Sequence, residues 1–182
     1  GHVFHSYFGK LKTSIFKTIE RYLARNSSGI IAISEIQKKE LYQDHKIAPA
    51  SKVRVIPLGF DLAAFQKNYD NNRKKIRAQY EISKDSIAIA IVGRITGIKD
   101  HHYFLDVIQE VHQKTQKNIK VFIVGDGDMK SEIADRIQPM KKSGIDISLT
   151  SWIFDIAEFN AGMDIMCLTS KNEGTPVSLI EA

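Results

Sequence analysis

Two runs of consecutive apolar residues constrain the fold of this chain most strongly. Ile87–Val92 reads IAIAIV and Val121–Val124 reads VFIV, and each run is followed by a glycine. Strands that are apolar on both faces are typical of parallel sheets with helices packed on both sides. Because helical patterns alternate with such runs from Ile87 onward, we predict an α/β fold with a right-handed, Rossmann-like, doubly wound parallel sheet.

The other elements follow from periodicity and from capping residues. After the two runs we predict helices at residues 101–113, 129–137 and 156–161, strands at 145–149 and 165–168, and a last helix from Pro176. The segments 29–33 and 52–57 are predicted as short strands. Between them, Ser34 followed by Gln37 matches a capping box that starts a helix ending near Gln43.

These elements group into two regions within a chain of 182 residues. We assign residues 1–60 to part of one α/β domain, 57–72 to a linker with a turn at Asn71–Asn72, and 73–182 to a second domain. Inside the second domain, Phe104, Leu105, Val107, Ile108 and Val111 are expected to face inward. The chain begins at Gly1-His2 without Met and stops inside a predicted helix, so we expect both ends to be cut from a longer protein.

The amino-acid composition of the chain limits the classes of function that we expect for it. The single cysteine, Cys167, lies in an apolar run and is interpreted as a buried hydrophobe in a reducing compartment, which favours a cytoplasmic location. The six histidines lack metal-ligand spacing, and no G-x-S-x-G motif is present, so we expect neither a metal site nor a serine hydrolase. The net charge of +5 is dispersed, which favours phosphorylated small molecules or an anionic membrane surface over nucleic acid as partners.

A basic amphipathic helix is predicted at residues 10–25. Its apolar residues recur at helical spacing, and five lysines and arginines fill the other side; the apolar set is Leu11, Ile15, Ile19, Tyr22 and Leu23. One interpretation is a helix packed on a core with a solvated basic face. The other is peripheral contact with an anionic membrane.

Three polar loops follow predicted strands and should meet at one edge of the sheet, where ligands of such folds bind. They are residues 93–99, 125–127 and 170–175. In the first loop Gly93 allows close backbone approach, while Arg94 and Lys99 could neutralise a diphosphate. The alternative is two solvated surface cations. The second loop, Gly125-Asp126-Gly127, fails the G-x-G-x-x-G fingerprint and is otherwise a tight turn into a helix.

The last ten residues place two carboxylates, Glu173 and Glu181, on either side of a helix start. Thr175 is predicted as the N-cap and Pro176 as the first helical residue. The carboxylates could grip sugar and ribose hydroxyls, and the free backbone N–H groups a phosphate. The other interpretation is an ordinary capped helix with two solvated acids.

Taken in order, these segments resemble the family-4 retaining glycosyltransferases (glycosyl transferases group 1) of the GT-B superfamily. The resemblance covers nearly the whole chain and is most specific at the Gly-Arg…Lys and spaced-glutamate segments; the matching pieces are 29–35, 52–61, 92–94 with Lys99, 121–127, 155–156 and 173–181. It implies that residues 1–60 end the acceptor domain and that 73–182 form a C-terminally truncated donor-binding domain. It also implies sugar transfer from a nucleotide-diphosphate sugar to a saccharide or lipid-linked acceptor, in surface polysaccharide or glycoconjugate synthesis.

The resemblance also implies roles for individual residues. Arg94 and Lys99 would bind the donor diphosphate, Glu173 the transferred sugar and Glu181 the ribose, without a metal or other cofactor. His2 is the candidate for the histidine of the acceptor domain near the reacting sugar. The remaining donor-binding residues are Gly93, Gly125, Gly127, Trp152, Gly174 and Thr175.

Some features depart from the family pattern. Ser151 stands where the family usually has glycine before an aromatic residue, and the early strands of the acceptor domain are missing. Two alternatives therefore stay open: a fragment that binds a nucleotide-sugar without turnover, and a GT-B sugar-nucleotide epimerase. A phosphorylase lacks support because no pyridoxal-binding lysine context is present.

Overall fold

The structure of the chain is a computed structural model that describes residues 10–182, with side chains from residue 13 onward. Contacts divide the chain into two compact units, Gly1–Phe60 with Glu173–Thr175, and Asp61–Asn172 with Pro176–Ala182. The first boundary falls within the predicted linker at 57–72. The assignment of the units to acceptor and donor domains stays a prediction.

The first unit contains a two-stranded parallel sheet with flanking helices. Its elements are α1 (Lys10–Asn26), β1 (Ile30–Ala32), α2 (Glu35–Lys39) with a following π-helical turn (Glu40–Asp44), a 3-10 turn (Ala50–Lys52) and β2 (Val53–Val55). β1 pairs with β2 in parallel, with Ile30 opposite Val53. The core of this unit consists of Ala24, Ala32, Leu41, Ile47, Ala48 and Val53.

The predicted capping box is confirmed at the start of α2. Ser34 Oγ accepts a hydrogen bond from the Gln37 N–H at 3.1 Å. Gln37 Oε1 accepts one from the Ile33 N–H at 2.7 Å, one residue before the position used in the standard box. One backbone donor of the helix start, the Gln37 N–H, and the N–H just before the N-cap are therefore satisfied by neighbouring side chains.

The orientation of α1 contradicts the expectation of a helix packed by its apolar face. Ile15, Ile19, Tyr22 and Leu23 are 54%, 48%, 68% and 53% exposed, respectively. The helix instead packs through the opposite side, where Ala24 is buried, and the Arg21 side chain on that side donates to the carbonyls of residues 45 and 46 at 2.9 and 3.0 Å. The apolar stripe of α1 thus faces away from the core of the unit.

The second unit is built on a four-stranded parallel sheet in the order β5-β4-β3-β6, which confirms the predicted doubly wound fold. Its elements are α3 (Ala63–Gln66), α4 (Tyr69–Gln79), β3 (Ile87–Val92), α5 (His101–Lys114), β4 (Ile119–Val124), α6 (Lys130–Lys142), β5 (Asp146–Thr150), α7 (Ile156–Ala161), β6 (Ile165–Cys167) and α8 (Val177–Ile180).

The central strands are buried on both faces, as their apolar sequence predicts. Ile89 and Ile91 of β3 belong to a core cluster that also contains α5 and α6 residues. Ala88 and Ala90 belong to a second cluster, which contains Phe122 of β4 with α4 and α7 residues. Because successive side chains of a strand point to opposite faces, one apolar run supplies both helix layers.

Three details differ from the sequence-based expectations. Asn71–Asn72 is not a turn but lies within α4, which follows a left-handed residue at Asn68 and is held by the buried Ile76. Val107 is 39% exposed, because α5 packs through the neighbouring face of Phe104, Leu105 and Ile108. The helix predicted to end at residue 137 continues through Pro139 to Lys142, where Met140 is buried against the core.

A charge network anchors α4 to the amino end of the sheet. Asp164, just before β6, pairs with Arg73 and with Arg77, the latter at 2.9 Å, and accepts the Ala88 N–H at 2.8 Å. Arg77 also donates to the Ser86 carbonyl at 2.8 Å. Burial opposes ionisation of Asp164, but these hydrogen bonds outweigh it and hold the pKa of the carboxyl below its usual value.

We expect Asp164→Asn to lower the free energy of unfolding by about 2 kcal/mol at pH 7, the scale of a hydrogen bond to a charged group. A folded-state pKa below the unfolded value of about 3.9 stabilises the protein above that value. The difference between wild type and variant should therefore shrink as the pH falls below about 4 and the carboxylate is protonated. Urea denaturation monitored through Trp152 fluorescence measures both effects, since Trp152 is the single tryptophan.

The control is Glu110→Gln, which breaks the exposed Glu110–Lys114 pair on α5 and should change stability by less than about 0.5 kcal/mol. Equal effects of the two substitutions would show that the Asp164 network adds nothing beyond a surface ion pair.

Candidate functional site

The strand order places a topological switch point at one edge of the second unit. From β3 the chain proceeds through α5 to β4 and on to β5, whereas β6 returns to the other side of β3. The loops that leave the carboxyl ends of β3 and β6 are therefore neighbours at the point where the strand order reverses. In open α/β sheets such a switch point is where ligands bind.

Direct hydrogen bonds hold these two loops together. The Thr169 hydroxyl, two residues after β6, donates to the carbonyls of Lys99 and Asp100, both at 3.0 Å. The Lys171 N–H donates to the Ile98 carbonyl at 2.9 Å, and Lys171 Nζ lies 3.4 Å from Asp100 Oδ2. The prediction that loops distant in sequence converge here is thus confirmed for residues 98–100 and 169–171.

The two predicted cations, Arg94 and Lys99, belong to this edge of the sheet. Arg94 is exposed and Lys99 is half-buried. The Lys99 stem crosses the strand exit, since a Cβ built on Gly93 would lie 3.7 Å from Lys99 Cε. A side chain as small as alanine at position 93 would make only an ordinary contact with this stem.

The residues after Lys99 start α5. Asp100 adopts a left-handed conformation with φ of 47° and accepts the Tyr103 N–H as N-cap at 3.4 Å. His101 is 2% exposed, and burial, followed by the charge of Lys99, lowers its pKa to about 4. His101 is therefore neutral at pH 7 and adds no charge to this edge of the sheet.

Gly125 and Gly127 allow the loops after β3 and β4 to touch through their backbones. The Gly93 N–H donates to the Val124 carbonyl and the Ile95 N–H to the Asp126 carbonyl, each at 3.0 Å. A Cβ on Gly125 would lie 2.0 Å from the Gly93 oxygen, and one on Gly127 would lie 2.3 Å from the Ile95 oxygen. This packing requires both glycines, whatever ligand the site holds.

Trp152 lies on the next loop, after β5, and is 50% exposed. Lys130 Nζ connects this loop to the previous one, because it donates to Asp126 Oδ2 at 2.7 Å and to Ser151 Oγ at 2.8 Å. Asp126 Oδ1 also accepts the Gly127 N–H at 2.8 Å. Hydrogen bonds from Lys130 and then from Gly127 hold the pKa of Asp126 below its usual value, so the carboxylate is charged at neutral pH.

The start of the last helix differs from the prediction. Pro176, not Thr175, is the N-cap residue, and α8 begins at Val177. With ψ of 73°, Pro176 lies outside the helical region, and its carbonyl accepts the Leu179 and Ile180 N–H groups at 3.0 and 3.1 Å. α8 has only four residues, so the structure offers no long helix with a free N-terminus here.

The predicted residues around α8 fall into different units. Glu173, Gly174 and Thr175 are grouped with the first unit. Glu181 belongs to the second unit and lies at the C-cap of α8, where its carbonyl accepts Asn160 Nδ2 at 3.2 Å. His2 lies outside the described residues, so its proposed role stays a prediction.

Sequence reasoning missed Asp100, Thr169 and Lys171, which join the β3 and β6 loops. The local signal was weak: each is a common polar residue just after an apolar run. Only the position of β6 beside β3 makes these residues neighbours.

Neither a candidate metal site nor a candidate membrane-spanning helix is found in the described part of the chain. Among residues 10–182, no group of three or more His, Cys, Asp or Glu side chains could hold a metal ion. In the same range, no helix combines the length and the apolar character needed to cross a membrane.

Family models match both parts of the chain. The model described as "Glycosyl transferases group 1" matches residues 72–182, and "Glycosyltransferase Family 4" matches residues 1–64.

Among solved structures, Anabaena Alr3699/HepE in complex with UDP and glucose superimposes with a TM-score of 0.72 at 19% identity, over 93% of this chain and 44% of that one. WaaG, from lipopolysaccharide biosynthesis, gives a TM-score of 0.68 at 17% identity, over 83% and 40%. These similarities show a GT-B fold.

One curated relative aligns with the whole chain. It is the Escherichia coli UDP-Gal:alpha-D-GlcNAc-diphosphoundecaprenol alpha-1,3-galactosyltransferase, 28% identical over 100% of this chain and 47% of its own length. The Erwinia amylovora amylovoran biosynthesis glycosyltransferase AmsD is 34% identical over 52% of this chain and 26% of its own. The chain thus spans about half the length, or less, of these relatives.

We expect Gly125→Ala to destabilise the second unit by about 2–4 kcal/mol, because the new Cβ meets the Gly93 oxygen and φ is +144°. The matched control is Gly97→Ala on the same edge, whose Cβ would have Met129 Sδ at 3.8 Å as its nearest neighbour. The control should stay within about 0.5 kcal/mol of wild type in urea denaturation. A tolerated Gly125→Ala would contradict the close packing of the two loops.

Proposed function

The chain belongs to the glycosyl transferases group 1 family, and on this basis we propose that it forms the donor-binding part of a retaining glycosyltransferase. The reaction would transfer a sugar from a nucleotide-diphosphate sugar to a saccharide or lipid-linked acceptor, in surface polysaccharide or glycoconjugate synthesis. One observation supports this most directly: the β3 and β6 loops, which carry Lys99 and Lys171, meet at the switch point of the sheet. A pyrophosphate is the kind of ligand that clustered cations at such an edge can hold.

In this proposal, different residues at the carboxyl edge of the sheet bind different parts of the nucleotide-sugar donor. Arg94 offers a fork of donors, and Lys99 a mobile charge, to the diphosphate. Gly93, Gly125 and Gly127 would form the backbone floor of the donor site, since the two glycines after β4 keep the β3 and β4 loops in contact, and the half-exposed ring of Trp152 would offer a face to the base. The two cations would stabilise the charge that develops as the diphosphate departs.

The proposal assigns the sugar and the ribose to residues near the end of the chain. Glu173 would accept hydrogen bonds from hydroxyls of the transferred sugar, and Glu181 from those of the ribose. The N–H groups of Gly174 and Thr175 would face a phosphate, and His2 would lie near the reacting sugar. No divalent metal is needed, because two cations can supply the electrostatic stabilisation that a metal would give.

The names of two similar proteins support this choice of ligands. The Anabaena protein was solved with UDP and glucose, and the name of the E. coli relative specifies UDP-Gal and a diphosphoundecaprenol acceptor. UDP is therefore the first nucleotide to test.

We expect UDP to bind the chain in isothermal titration calorimetry, with and without EDTA. Lys99→Met and Glu181→Ala should each weaken binding by about 1.5–3 kcal/mol, the scale of a lost hydrogen bond to a charged group. Lys99→Arg should retain part of the affinity, since it keeps the charge.

The matched control is Lys114→Met on α5, which removes an exposed lysine that pairs with Glu110. Its affinity for UDP should equal that of wild type. Absence of heat at millimolar concentrations of both UDP and GDP would refute the proposed function, whereas an unchanged affinity of Lys99→Met would remove only Lys99 from the site.

We further propose that α1 contacts an anionic membrane surface. Ile15, Ile19, Tyr22 and Leu23 form an exposed apolar stripe on this helix. Residues 10–26 contain five lysines and arginines and one glutamate, so the helix is strongly basic. An apolar stripe on a basic helix complements a bilayer with anionic headgroups, into which such a helix inserts its apolar face.

A lipid surface also fits the proposed reaction, since the E. coli relative is named for an undecaprenol-linked acceptor. Binding of the chain to the bilayer would bring the donor site to the surface at which a lipid-linked acceptor lies. The location implied is the inner face of the cytoplasmic membrane.

We expect the chain to sediment with vesicles that contain phosphatidylglycerol and to bind less to vesicles of phosphatidylcholine alone. Tyr22→Ser with Leu23→Ser should reduce the bound fraction several-fold, because a buried apolar side chain contributes roughly 1.5–3 kcal/mol. The control, Tyr103→Ser, removes a similarly exposed tyrosine (57%) from α5 and should leave binding unchanged.

Two results would count against the lipid proposal. The first is equal binding of wild type and the Tyr22/Leu23 variant to the anionic vesicles. The second is a concentration-dependent dimer in analytical ultracentrifugation that the Tyr22/Leu23 variant abolishes, which would identify a second copy as the occupant of the stripe.

A further inference from the structure

Three polar side chains form a closed set between the loops after β4 and β5. Lys130, the first residue of α6, donates to Asp126 Oδ2 at 2.7 Å and to Ser151 Oγ at 2.8 Å. Ser151 Oγ in turn lies 3.4 Å from Asp126 Oδ2. We call Asp126, Lys130 and Ser151 the loop clamp.

The loop clamp connects the loop after β4 to the loop after β5 that carries Trp152. Asp126 is held through its backbone, since its carbonyl accepts the Ile95 N–H, and through Oδ1, which accepts the Gly127 N–H. On the other side, Ser151 comes directly after the last β5 residue and directly before Trp152. Ile153 packs against the core cluster that contains Phe122, whereas Trp152 is 50% exposed and Phe154 fully exposed, so burial holds Ile153 but not the ring of Trp152.

Ser151 stands where the sequence resemblance leads one to expect a glycine. A glycine would have no side-chain oxygen to accept a hydrogen bond from Lys130. The hydroxyl therefore adds a hydrogen bond that fastens the loop next to its aromatic residue.

We propose that Lys130 is a positioning residue that, through Asp126 and Ser151, holds Trp152 in place to receive the base of a bound nucleotide. This inference rests on the proposed function, because it assumes that a nucleotide binds at this edge of the sheet. Lys130 itself need not touch the ligand. A pre-ordered aromatic ring loses less freedom on binding, and this raises the affinity.

The test uses Trp152 as its own reporter, because the chain contains no other tryptophan. Acrylamide quenching of Trp152 is measured without ligand in wild type, Lys130→Met, Ser151→Ala and Ser151→Thr. Loss of the clamp should raise the quenching constant by up to about twofold as the half-exposed ring becomes accessible through local opening. Ser151→Thr keeps a hydroxyl and should behave like wild type.

The matched control is Lys114→Met, which removes a lysine from an i,i+4 ion pair of the same spacing, with Glu110, on α5. Its quenching constant should equal that of wild type. The unfolding midpoints of the variants in urea show whether an altered constant reflects the loop or the whole unit. Unchanged quenching in Lys130→Met would overturn the proposal.

Titration with UDP forms the second arm. Lys130→Met and Ser151→Ala should bind UDP about three- to tenfold more weakly than wild type, since ordering one side chain on binding costs affinity. Increased quenching with unchanged affinity would also overturn the proposed positioning of the base. If wild type itself binds no nucleotide, the proposed function fails, and the quenching arm alone decides whether the clamp holds the loop.

Discussion

The edge of the second unit depends on close backbone contact between the loops that leave β3 and β4. The parallel pairing of these strands continues past their ends, because Gly93 and Ile95 donate to carbonyls of residues 124 and 126. Gly125 and Gly127 leave no side chain between the two segments. A rigid base results, on which Arg94, Lys99 and Asp126 are placed without depending on a ligand for their backbone positions. In the proposed function, the two cations among these groups, Arg94 and Lys99, would be pre-organised to stabilise a departing diphosphate.

Charged residues have different roles at the amino ends and at the carboxyl ends of the strands of this sheet. At the amino ends, Asp164 is enclosed by Arg73, Arg77 and the Ala88 N–H, so its charge serves to join α4 to the sheet. At the carboxyl ends, Lys171 and Asp100 are 3.4 Å apart, and Arg94 is exposed. Charges that are matched within the protein stabilise the fold, whereas cations exposed above a switch point can bind an anionic ligand.

Local patterns predicted most of the elements and failed where distant contacts compete with them. The apolar run of β3 and the Ser34–Gln37 box were interpreted correctly, because burial and capping depend on neighbours in sequence. The asparagine pair at 71–72 was taken for a turn, yet it lies in α4, whose Ile76 is buried in a core cluster that also contains Phe159 of α7. Of the two interpretations of the first helix, the one with its apolar stripe packed on the core is wrong, because the hydrogen bonds of Arg21 and the burial of Ala24 hold the helix the other way.

The sequence by itself determined the class of the fold, its family and the residue types at the ends of the strands. Apolar runs, glycines and caps act over a few residues, and periodicity records their effects directly. Only the tertiary structure decided which loops are neighbours: β6 lies beside β3, so Thr169 meets Lys99, and Lys130 reaches Ser151 across 21 positions. Strand order is set by pairing between distant segments, and the pattern within any one segment carries no information about which partner it will choose.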